Sequence, residues 1–133
     1  MTTTNAPKTI TIPFATFWSW LKRHTGCILR VGTPDIYVSD HDCFHWIVDE
    51  DTDGNPNVFL FFGKTLISEL VLEARDIQSV QLLPAKDPEN PDHSLFQIIG
   101  GQDEEEPYPL VMFLMEHGIE EEPAANLART YKH

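Results

Sequence analysis

Asp49, Asp51 and Asp53 stand at alternate positions, followed at once by Gly54 and three residues later by Asn57. Carboxylates at every second position ahead of a glycine form the front half of a calcium-binding loop. A hard cation takes about six to eight oxygens, and the glycine permits the bend that turns them toward one point. In a helix–loop–helix site a bidentate glutamate would close the loop; Leu60 holds that position here. The flanking segments are apolar and aromatic and read as strands, so a helical calcium hand is excluded. Two readings remain. One is a metal loop inside a β-hairpin, with Asp49, Asp51, Asp53 and Asn57 as calcium ligands. The other is an acidic turn in which Asp53-Gly54 supplies left-handed backbone and the acids face water. The second is the commoner use of these residues, and no metal is assigned.

His41, Cys43 and His45 share one face if their segment is extended. Imidazole and thiolate suit zinc, but a structural site needs about four ligands and no second pair completes this one. Asp40-His41-Asp42 also reads as a turn, which would break the alignment. The expectation is two surface histidines and a small buried thiol. No serine sits in a Gly-x-Ser-x-Gly elbow. Gly100-Gly101 is followed by an acidic run that would repel phosphate. Cys43 and His45 would point the same way with a residue between them, a poor geometry for sharing a proton. The sequence therefore names no catalytic residue and no cofactor, and a non-enzyme is expected.

The elements that would carry these residues follow from periodicity. Thr9–Ile12 alternates as a short strand. Pro13 suits a first helical turn, and Phe14, Phe17, Trp18 and Leu21 then recur on one helical face. Lys22, Arg23 and His24 complement the helix C-terminus, and Gly26 is expected to terminate it as the C′ residue. Trp20 falls off the apolar stripe and is expected at an edge or exposed. Beyond Gly26 the period changes to two. Strands are expected near 27–31, 36–39, 43–48, 57–62, 65–73, 77–83, 95–99 and 109–115. In the segment 65–73, Leu66, Leu70 and Leu72 should face one way and Ile67, Glu69, Val71 and Glu73 the other. The run 109–115 is apolar on both faces and should be a central strand.

Short connections favour antiparallel neighbours. The fold class is therefore α+β: an N-terminal amphipathic helix packed on a twisted antiparallel sheet of about seven or eight strands, mostly meander, or a half-open barrel. Residues 1–8 are expected to be a flexible arm, 9–116 a single domain, and 117–133 an acidic C-terminal tail, disordered or a short helix.

The charge is −12, from 21 acids against 9 bases, and the acids gather near 49–53, 87–92, 103–106 and 120–122. These are loop and tail positions, where water screens the charge. Such a surface disfavours nucleic acid and either keeps the chain soluble or attracts basic partners. No apolar run is long enough to cross a bilayer, so no membrane association is expected. The opening residues lack a signal-peptide pattern, and the two cysteines read as free thiols. A cytoplasmic location is the expectation. The aromatics exceed what one helix-covered face needs. Trp20, Trp46, Phe59 and Phe61 are therefore candidates for a partner-binding or self-association face.

From these features a non-catalytic, acidic protein-binding or accessory domain is expected, working through an apolar sheet face and acidic loops. The alternatives are an inhibitor or immunity-type protein that mimics nucleic-acid charge, a calcium-stabilised module, and a small enzyme.

Overall fold

The computed structural model describes residues 9–84, 88–101 and 106–119. After the short strand β1 (Ile10–Ile12) the chain enters helix α1 (Phe14–Lys22). Pro13 precedes the helix in an extended conformation, and its carbonyl accepts the N–H groups of Thr16 and Phe17. Phe17, Trp18 and Leu21 are buried as their spacing requires, and Trp20 is buried as well. Gly26 does not end the helix. Arg23 caps it in a right-handed conformation, and Thr25–Cys27 adds one 3-10 turn.

Eight further strands follow: β2 (Ile28–Gly32), β3 (Tyr37–Ser39), β4 (Phe44–Glu50), β5 (Pro56–Phe62), β6 (Thr65–Val71), β7 (Ile77–Pro84), β8 (Ser94–Gly100) and β9 (Tyr108–Met115). All the pairings are antiparallel. They form two sheets, one in the order β1-β7-β8-β9-β2-β3 and one in the order β4-β5-β6, and neither closes into a barrel. The expected single sheet is thus divided. Folding the β4–β6 meander away from the larger sheet has a physical reason. A nine-residue helix is too small to cover the whole inner face of nine strands. The second sheet adds Trp46, Val48, Val58 and Leu60 to the core that α1 begins.

The core has Phe17 at its centre. Its ring stacks on Phe96 at 4.8 Å and meets Phe113 edge-on at 5.6 Å. Val80, Phe96, Ile98, Val111, Phe113 and Met115 of the larger sheet are fully buried around it. Strand β9 lies between β8 and β2, the central place its sequence indicated. Leu110, Met112 and Leu114, on its opposite face, are half-buried. Among the described residues no helix is long and apolar enough to cross a membrane. The expected arm 1–8, the tail from 120 onward and the acidic positions 87 and 103–105 lie outside the described residues.

Candidate functional site

The three-stranded sheet turns one face to the core and the other away. Trp46, Val48, Val58 and Leu60 lie on the core side. Alternation then places Ile47, Phe59 and Phe61 on the outer side, with Ile47 opposite Phe59 and His45 opposite Phe61. From β6 come Leu66 opposite Phe61, Glu69 opposite Phe59 and Val71 opposite Asn57. Phe59 and Phe61, at the middle of the sheet, are half-buried by these neighbours. Leu66, Ile67 and Val71 are 46%, 49% and 51% exposed. The result is an apolar strip across all three strands, edged by His45, Asp49 and Glu69.

The outer position of Leu66 corrects the sequence reading of β6. A bulge between the pairs Leu60–Ser68 and Phe61–Leu66 inserts one extra residue. That insertion shifts the alternation, so Leu66 shares a face with Glu69 and Val71 rather than with Leu70. No glycine or proline in the strand marks the bulge, so the sequence carried no signal for it.

Of the four aromatic candidates, Phe59 and Phe61 lie on this outer strip, whereas Trp20 and Trp46 are internal. Trp46 is 7% exposed, and its indole N–H donates to Oδ1 of Asp40 at 2.9 Å. Trp20 is 8% exposed, with its ring 5.2 Å from Phe96 and stacked on His24 at 4.5 Å. It is buried off the stripe because β8 and the segment after β9 wall in that side of the helix; His117 contacts it edge-on. Both tryptophans are spent on packing within the chain.

The acidic loop between β4 and β5 closes on itself. Asp51 Oδ1 accepts the N–H groups of Asp53 and Asn55, both at 2.9 Å. The Asp51 carbonyl accepts the Gly54 N–H, and Gly54 takes a φ of 85°. Asn55 Oδ1 in turn accepts the N–H of Ala74, which links the loop to the chain beyond β6. Hydrogen bonds from the Asn55 backbone foremost, then from Asp53, hold the Asp51 carboxyl below its ordinary range. Asp49 faces Asn57 across the strand pair and accepts the Glu50 N–H. Asn57 is buried, and its Oδ1 takes no hydrogen bond from the described residues. Asp49 and Asn57 are thus neighbours, while Asp51 and Asp53 belong to the turn. Among the described residues no three His, Cys, Asp or Glu side chains are grouped so as to hold a metal.

His41, Cys43 and His45 do not form one row. His41 accepts the Cys43 N–H at Nδ1 and stacks against Phe62, ahead of the start of β4. Cys43 is exposed, contrary to the expected burial, because it precedes the first core-facing position of the strand.

Behind β6, between its inner side and β3, lies an apolar cleft of about 280 Å³ lined by Val31, Val38, Trp46, Leu60, Ser68 and Leu70 among others. It has no acid or histidine in its walls. Compared with protein-family models, with curated proteins and with solved structures, the chain matches none.

Proposed function

We propose that this domain is a non-catalytic protein-binding or accessory module acting through the outer face of the β4–β6 sheet. The observation that carries the reading is the strip of Ile47, Phe59, Phe61, Leu66 and Val71, held in register by strand pairing with its β6 side about half exposed. Apolar area arranged on a rigid sheet and rimmed by polar groups is the usual form of a protein contact surface. The acidic residues at its margin, Asp49, Asp51 and Asp53, favour encounter with basic partners and disfavour nucleic acid.

The other readings have less behind them. A calcium module needs converging carboxylates, and Asp51 is engaged with its own loop. An enzyme needs reactive groups converging in a pocket; the apolar cleft offers the hydroxyls of Thr33, Tyr37 and Ser68 with no acid or histidine in its walls to activate them. A nucleic-acid mimic needs acids in a continuous stripe, yet Glu50 is paired with Lys22 and Glu73 with Arg75.

The test is the double variant Leu66→Asp, Val71→Asp, used beside the native chain to capture proteins from the native cell. Both positions are exposed, so the circular-dichroism spectrum and melting temperature should hold. Partners identified with the native chain should be lost with the variant. Retention of the same partners by a folded variant would refute the reading.

A further inference from the structure

The geometry points to a second copy of this chain as an occupant of the β4–β6 sheet, joined edge to edge through β6 around a two-fold axis. This rests on the reading of that sheet as a contact surface and adds how two copies of the sheet join, side by side, with their outer faces left open.

Four strands form the margins of the two sheets. β1 and β3 are three residues each, too short to pair widely. β4 packs against α1, and its last residue is bound by Trp18 and Lys22. β6 is different. It runs seven residues, is exposed along nearly all of them, and among the described residues pairs with β5 alone. It contains no proline and a single charge, Glu69. A row of unpaired backbone donors and acceptors on an apolar strand is a template for another strand. An antiparallel pairing about a two-fold axis is self-complementary, so one sequence can supply both sides.

The bulge and the charges select the register. Residues opposite each other in a sheet must share a face. In β6, Leu66 and Glu69 are on the outer face, while Thr65 and Ser68 are on the inner one. A pairing centred between Leu66 and Ile67, the bulged residue, keeps the flanking pair Thr65 and Ser68 within this rule. It sets Thr65 opposite Ser68 of the second copy and brings Lys64, in the turn that opens β6, to the end of the pairing beside that copy's Glu69. The ion pair then occurs twice, once on each side of the axis. A pairing centred on Glu69 would oppose two carboxylates and is disfavoured. In the favoured register the two outer strips become one continuous apolar face on a six-stranded sheet.

Light scattering over a range of concentrations, with charge-swapped variants, tests this. The native chain should reach the mass of a dimer. Lys64→Glu alone and Glu69→Lys alone should each weaken the dimer by about tenfold or more, because every like-charge contact is made twice. The double swap Lys64→Glu, Glu69→Lys should restore it. Both positions are exposed, and circular dichroism checks that each variant is folded. A monomer at every concentration, or a dimer indifferent to the swaps, would overturn the assignment. A monomer whose captured partners still depend on Leu66 and Val71 would overturn this assignment while leaving the partner-binding face standing. A swap-sensitive dimer that keeps every captured partner in the Leu66→Asp, Val71→Asp variant would do the reverse.

Discussion

The indole N–H of Trp18 donates to Oε2 of Glu50 at 2.8 Å, joining the middle of α1 to the end of β4 across 32 residues. Lys22, one helical turn further along, pairs with the same oxygen. One carboxylate thereby fixes how the helix sits on the second sheet. Glu50→Ala should lower the unfolding free energy by about 1.5–3 kcal/mol, because it leaves a buried indole without an acceptor. Glu50→Gln keeps an acceptor and should cost less. Urea unfolding measures both; an alanine variant as stable as the native chain would show the link to be incidental.

Gly32 ends β2 where the chain turns into β3. A β-carbon there would overlap the Ile36 carbonyl and the Tyr37 backbone. Gly32→Ala should therefore destabilise by about 1–3 kcal/mol through forced displacement of the hairpin. Gly26, with open space around it, is the control, and Gly26→Ala should change stability by less than about 0.5 kcal/mol. Equal melting temperatures for the two variants would contradict the close approach at Gly32.

Asp51 gives the β4–β5 loop a pH dependence whose sign is fixed. Its carboxyl is held low in the folded chain, chiefly by the Asn55 N–H. The folded form therefore binds this proton less readily than the unfolded form does. The associated stability is present above the ordinary carboxylate range and is lost as pH falls through the folded value. Asp51→Ala should melt lower than the native chain at neutral pH, with the gap closing in strong acid. Calcium should leave the native melting curve unmoved, since the same carboxylate is already engaged by the turn. A pH-independent gap, or a calcium-raised melting temperature, would count against this account of the loop.

The two thiols should differ in reactivity. Burial, the charge of Glu116 and a hydrogen bond to it all push the Cys27 thiol up, so little thiolate is present at neutral pH. Cys43 is exposed. A disulfide reagent should modify Cys43 first. In a Cys43→Ser background, Glu116→Gln should speed the reaction of Cys27. If that rate is unchanged, Glu116 does not govern the thiol.

The helix was legible because Phe14, Phe17, Trp18 and Leu21 repeat at the period of a helix and nothing competes with it. The strands were legible for the same reason at a period of two, and the centrality of β9 followed from bulk on both of its sides. The division into two sheets was not. A short turn such as 40–43 looks alike whether the next strand stays in the sheet or folds over it. Trp20 was misplaced because a helix set between a sheet and the segment after β9 buries more than one stripe. Leu66 was misplaced because one extra residue in a strand inverts every side chain beyond it, and the extra residue, Ile67, has no distinctive chemistry. Phe59 and Phe61, two positions apart, share one face because no bulge lies between β4 and β5.

The neighbour of β2 on its central side is β9, more than 75 positions further along the chain. A nascent polypeptide therefore emerges with its amphipathic helix and second strand made, while the Phe96 and Phe113 rings that shelter Phe17 are still to be translated. The meander 44–71, whose partners are adjacent in sequence, has no such wait. Synthesis order and architecture thus set a schedule: the small sheet can zip locally, the large one only when its last strand arrives. A chain halted before residue 108 would leave its oily first third unsheltered, a natural target for chaperones.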